Sequence, residues 1–205
     1  MATTREDFLG ALGALVVQWN HAEALLNALL SYLSGGGARI EILAAHMNTV
    51  AVCQALRTLA NDKLTDDDVA PHVIHYADCF ERLREYRNYY VHGIKAVGIS
   101  EGEAVGIAET VTARQRWTLH QLVLSIDDLR QTILLLTDLV RYGSNIMAHL
   151  MWTHNKSLPI SEENRSLSEK LPLPDKLQKP RLFLLSRTPT HGANSAGGES
   201  IAPSK

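Results

Sequence analysis

The chain has 205 residues and a mass of 22.6 kDa, the size of one domain with an appendage. Its 45% apolar residues can fill a core, which excludes wholesale disorder. Its net charge of −2 excludes bulk attraction to nucleic acid, so any RNA contact needs a local patch.

The first predicted helix runs from about Arg5 to Leu33. Phe8, Leu12, Leu15, Trp19, Leu26, Leu29 and Leu33 recur at three- and four-residue steps and share one face. Gly35-Gly36-Gly37 stops it. A second helix is expected from about Arg39 to Ala60, striped by Ile40, Leu43, Met47, Val50 and Leu59. A third starts at Thr65-Asp66-Asp67-Asp68, which has capping-box spacing and acidic residues where the helix dipole favours them. Pro71 fits its first turn. Val69, Val73, Tyr76, Phe80 and Leu83 form its buried face, and Gly93 ends it.

Residues 94–117 lose the helical period. IKAVGIS and AVGIAETVT alternate around Glu101-Gly102, which reads as a β-hairpin inserted between helices. The last helix is expected from about Thr118 to Trp152. Leu119, Leu122, Ile126, Leu129, Ile133, Leu136, Val140, Gly143, Met147 and Leu150 step 3-4-3-4, a heptad seam. Leu124, Leu134, Leu135 and Leu139 lie off the seam, a surplus that suggests a dimer contact. The expected fold is therefore all-α, an antiparallel four-helix bundle carrying a short hairpin.

The aggregate charge hides a division. Six of the seven prolines lie after residue 155, and residues 1–155 carry −5 against +3 for residues 156–205. We divide the chain into a helical domain over 1–155 and a Pro-rich, mostly disordered tail over 156–205. Within the tail, RLFLLSR (Arg181–Arg187) is an apolar island that could dock on a protein partner. Cys53 and Cys79 are too few for a disulfide framework, which suits a reducing cytoplasm. No apolar run reaches a membrane span, and the acidic start MATTREDFLG does not read as a secretory signal.

One stretch carries chemistry: Arg87-Asn88-Tyr89-Tyr90-Val91-His92-Gly93. On an α-helical wheel Arg84 lies about 60°, Asn88 about 100° and His92 about 140° from Arg87. Arg87, Asn88 and His92 open onto one side of the helix end. RNA cleavage by the strand's own 2′-OH needs a group that moves a proton near neutral pH, which imidazole does. It needs a cation on the phosphate, which a guanidinium supplies bidentately. It needs a polar group to orient them, which Asn88 supplies. It requires no metal or cofactor, and none is expected.

At these residues the chain resembles the HEPN superfamily, whose RNases carry Arg, usually a polar residue next, and His after four to six intervening residues. Here the run is RNYYVH. Arg-x4-His alone is expected about 0.6 times by chance in this composition, and requiring Asn lowers that to about 0.03. The resemblance covers residues 5–152. It implies a bundle in which two protomers pair and two Arg/His sets form one composite RNA-cleaving site, in toxin, defence or RNA-processing roles. His92 is then the general acid/base, Arg87 holds the scissile phosphate and Asn88 positions it. The toxin branch paired with nucleotidyltransferase antitoxins has Tyr two residues beyond the His; here that residue is Ile94.

Supporting residues are expected at Arg84, for local positive charge, and on the first helix at Asn20 and Glu23, a polar stripe from which Glu23 could pair with Arg87 or Arg84. His72, His75 and Cys79 share a helix face but lack closed zinc-site spacing and read as packing residues. The competing function is a non-catalytic assembly module, with the long helix and the tail as contacts and with Arg87 and His92 structural.

Overall fold

The computed structural model describes residues 4–64, 68–100, 103–113, 117–162, 166–167 and 169–175, with side chains described outside 108–122. Five α-helices and a three-stranded antiparallel sheet make up the described chain.

Helix α1 spans Arg5–Leu33. Thr4 caps it, accepting from the Asp7 amide at 3.1 Å while the Asp7 carboxylate accepts from the Thr4 amide at 2.9 Å. That reciprocal pair pulls the Asp7 carboxyl below its ordinary range. The helix stops at Gly35, Gly36 and Gly37, whose φ values of 86°, 71° and 99° suit only glycine.

The expected second helix is two helices, α2 (Ala38–His46) and α3 (Thr49–Lys63). Met47 is extended, and the Asn48 side chain caps α3 by accepting from the Ala51 amide at 2.9 Å. An Asn that satisfies a helix start outcompetes continuation of a helix already poor in buried contacts, since α2 buries no residue. α3 buries Val52, Cys53, Leu56 and Ala60.

Helix α4 spans Ala70–Asn88, with Pro71 in its first turn and Val69 at its N-cap. Thr65, Asp66 and Asp67 of the expected capping box lie outside the described residues. Tyr76 is fully buried and donates to the Ala22 carbonyl at 2.7 Å, tying α4 to α1. Arg57 of α3 donates to Asp78 and Glu81 of α4 at 2.7 and 2.6 Å.

The expected hairpin is present as the first two strands of a larger sheet, whose third strand replaces the first turns of the expected last helix. Strands β1 (Ile94–Ser100), β2 (Glu103–Ala113) and β3 (Trp117–Ser125) pair in the order β1-β2-β3. Residues 118–125 carry the apolar steps of a heptad but pair with β2, Leu122 opposite Ala108 and Leu124 opposite Gly106. The true helix start is Ser125, whose hydroxyl accepts from the Asp128 amide in a second capping box.

Helix α5 therefore spans Ile126–His154. Its buried face runs through Leu129, Thr132, Leu136, Leu139, Tyr142, Gly143, Ile146 and Leu150. Leu139 and Ile146 take places that the seam assigned to Val140 and Met147. Leu129, Thr132, Leu136, Leu139, Gly143, Ile146 and Leu150 step 3-4-3-4-3-4, so α5 buries the neighbouring heptad seam, which shares Leu129, Leu136, Gly143 and Leu150 with the expected one. Leu134 remains 58% exposed.

α1, α3, α4 and α5 pack around one core, with α1 against α3, α4 and α5. Residues 166, 167, 171 and 175, within the expected tail, contact the helices. Asn145 Nδ2 donates to the Ser166 carbonyl, His75 Nε2 to that of Leu171 and Tyr86 to that of Asp175. Leu167 and Leu171 pack on the core. The rest of the predicted tail, with the RLFLLSR island, lies outside the described residues. Among them, no helix is long and apolar enough to cross a membrane.

Candidate functional site

The end of α4 is not plain α-helix. Tyr89–Gly93 forms a π-helical turn before the chain enters β1. Tyr89 and Tyr90 are adjacent yet both buried, and Gly93 is buried where the strand begins. Burial pushes the Tyr90 phenol up to about 12, against a hydrogen bond with Thr132 that lowers it, so it stays a neutral packing group.

This turn changes the predicted geometry. On an α-helical wheel His92 stands well around the axis from Arg87. An i→i+5 turn stacks residues five apart instead. Arg87 Nη1 donates to His92 Nε2 at 2.6 Å and to Asn88 Oδ1 at 3.3 Å. A guanidinium has no acceptor, so the imidazole must accept on Nε2 and carry its proton on Nδ1. The His92 side chain is exposed to solvent. The Arg87 guanidinium also lies over the Trp19 ring, 5.7 Å from its centroid. Trp19 in turn packs on Phe80 at 4.4 Å between ring centroids. The core thus fixes the cation, and the cation fixes the imidazole.

Behind this pair lies a cleft of about 830 Å³. Trp19 and Glu23 of α1, residues 48–51 at the start of α3, and Arg84, Arg87 and Asn88 of α4 line it. His92 reaches the cleft through Arg87 rather than lining it. Arg84 Nε and Arg87 Nε are buried and have no hydrogen-bond partner among the described residues.

The expected supporting residues divide. Arg84 is present at the cleft. Glu23 is present too, but its Oε1 accepts from the Thr49 hydroxyl at 3.4 Å and pairs with neither arginine. The α3 N-terminus stands beside Glu23 in the cleft, a consequence of the break at Met47-Asn48. Asn20 is exposed and does not line the cleft; one residue on from Trp19, it turns about 100° away from that face. Thr49 and Val50 were missed as site residues. Asn48, a preferred N-cap type, was the available signal.

The other titratable groups pack. His72 Nδ1 and the Tyr142 hydroxyl are hydrogen-bonded at 2.8 Å, and His75 is held by Leu171. Among the described residues no cluster of three His, Cys, Asp or Glu could hold a metal. Burial pushes the Cys53 thiol up to about 12 and Cys79 up to about 11, which makes both poor nucleophiles. Comparison with protein-family models, with curated proteins and with solved structures returns no match.

Proposed function

We propose that this chain is a metal-independent endoribonuclease of the HEPN type, acting as a homodimer. The observation that carries the reading is the 2.6 Å contact between Arg87 Nη1 and His92 Nε2 beside an open cleft. In this reading α1, α3, α4 and α5 are the four bundle helices, α2 is a side piece, and the sheet is the insertion between α4 and α5.

The chemistry follows from the pair. An RNA phosphate draws the Arg87 guanidinium to its oxygens, which frees His92 Nε2. Nε2 takes the proton of the 2′-OH, and the 2′-oxygen attacks phosphorus. Charge gathers on the phosphate oxygens, where Arg87 stabilises it. The bond from phosphorus to the 5′-oxygen breaks, leaving a 2′,3′-cyclic phosphate. The 5′-oxygen takes its proton from the His92 of a second protomer, which enters the composite site as imidazolium, so one His92 gains the proton that the other loses. Asn88, bonded to Arg87, orients the guanidinium.

A second reading is an assembly module without catalysis. The exposure of Val17 on α1 (52%) and Leu134 on α5 (58%) favours it. Incubating the full chain with single-stranded RNA in EDTA separates the two. The ribonuclease reading expects cleavage that both His92→Ala and Arg87→Ala remove while sedimentation still reports the dimer. RNA left intact by the wild-type dimer supports the assembly module instead.

A further inference from the structure

The body that carries the cleavage pair is short of positive charge. Residues 1–155 sum to −5. Along α4 lies a groove of about 400 Å³ where Asp78, Glu81 and Glu85 outnumber Arg82 and Arg84. An RNA strand leaving the pair along α4 meets those carboxylates. A polyanion bound at the helix end needs cations from elsewhere.

Residues 169–175 point to their source. His75 Nε2 donates to the Leu171 carbonyl at 2.6 Å, and Tyr86 donates to the Asp175 carbonyl at 3.0 Å. Leu171 packs on the core and Leu173 lines the groove. These anchors fix a direction, from His75 towards the C-terminal end of α4. Pro172 and Pro174 disfavour helix at the residues before them and keep this strap extended. The anchors stand about 16 Å apart along α4, and the extended chain joining Leu171 to Asp175 spans about 13 Å. Beyond Asp175 the sequence reads Lys176-Leu177-Gln178-Lys179-Pro180-Arg181, with three cations and no acid. His92 lies at most about 9 Å further along the helix than Tyr86, and six extended residues cover about 20 Å. RNA phosphates flanking the pair are within covalent reach of that segment.

We infer that residues 169–175 are a strap that presents Lys176, Lys179 and Arg181 to RNA, where they bind the phosphates flanking the scissile bond. The inference rests on the ribonuclease reading. It brings the positive surplus of the C-terminal residues, +3 over 156–205, beside a cleavage pair set in an acidic body.

The test uses the full chain in EDTA. Fluorescence anisotropy follows binding of a 2′-O-methylated dodecanucleotide, which has no attacking hydroxyl and stays intact. Cleavage is measured on the same sequence as RNA and on a dinucleotide, which holds the scissile bond alone. The triple variant Lys176→Gln, Lys179→Gln, Arg181→Gln should lower the salt slope of binding by about 2, at about 0.7 per phosphate contact on a single strand. Raising salt from about 50 to about 200 mM should then cost the wild type about 20-fold more affinity than the variant. The variant's KM for the long RNA should rise while its cleavage of the dinucleotide is unchanged. A second variant, His75→Ala with Tyr86→Phe, keeps all three cations but frees the strap. It should bind the dodecanucleotide about threefold more weakly or worse, through lost local concentration; Tyr86→Phe alone serves if the pair does not fold. An unchanged salt slope overturns the inference and leaves the segment to a protein partner. Equal losses on dinucleotide and long RNA overturn it, because the cations then act at the pair itself. Undiminished binding by the freed strap overturns it too. Wild-type protein that cleaves neither RNA refutes the ribonuclease reading, and this inference falls with it.

Discussion

Replacing Gly143 by Ala should destabilise the protein, although alanine is the better helix former. Gly143 lies in α5 where the helix meets Tyr76 of α4. A Cβ there would stand 2.5 Å from Tyr76 Cε2 and 3.0 Å from Cζ. The ring cannot swing clear, because Tyr76 is fully buried and its hydroxyl is held by the Ala22 carbonyl at 2.7 Å. Overpacking costs about 1–3 kcal/mol, and a pinned ring belongs at the upper end. Alanine recovers about 0.5–1 kcal/mol of backbone entropy. The net loss is about 2 kcal/mol, or roughly 4–8 °C in melting temperature for a chain of this size. Gly13→Ala in α1 is the control: nothing lies within 4 Å of its added Cβ, so it should gain about 0.5–1 kcal/mol. Urea unfolding followed by circular dichroism measures both. A Gly143→Ala protein as stable as the wild type, or a Gly13→Ala protein that loses stability, refutes the packing argument.

Two further predictions use titration and reactivity. Burial, the Lys170 charge and the neighbouring His75 and His149 hold His72 below its ordinary value of 6.5, with Asp68 opposing them. The unfolded chain then binds this proton more readily than the folded one. The stability it contributes is full above about 6.5 and is lost as pH falls towards the folded-state value. His72→Gln should flatten that part of a pH series of urea midpoints; an unchanged slope through the same window contradicts the assignment. Cys53 and Cys79, both buried with raised thiols, should react with a thiol reagent at the rate of unfolding. Rapid labelling of the native protein at pH 8 would show that the core is not closed around them.

The helical character of the chain was legible because long apolar stripes meet strong caps. Thr4 with Asp7 and the three glycines bound α1 where the pattern put its ends. The losses occurred where two periods fit the same residues. Leu119, Leu122 and Leu124 satisfy a heptad as readily as a strand, and only pairing with β2 decides between them. Ser125 and Asp128 carried the local signal for the true start of α5. The Met47-Asn48 break was marked by a single capping residue inside an apolar stripe.

For the site, the residue types at Arg87, Asn88 and His92 were readable, but their geometry was not. A π-helical turn depends on how two tyrosines fit the core, which no wheel contains. Placing Glu23 beside Thr49 rather than beside an arginine depends on the break before α3. The contacts of Ser166, Leu171 and Asp175 with the helices are made through their backbone carbonyls, which carry no sequence signature.

The central claim is that Arg87 and His92 cleave RNA through its own 2′-OH without a metal. The most direct measurement is end-group analysis of a defined single-stranded RNA after incubation with the full chain in EDTA. The account predicts 2′,3′-cyclic phosphate and 5′-hydroxyl ends, absent with a folded His92→Ala protein. Cleavage by that variant at the wild-type rate, or products ending in a 5′-phosphate, would contradict it.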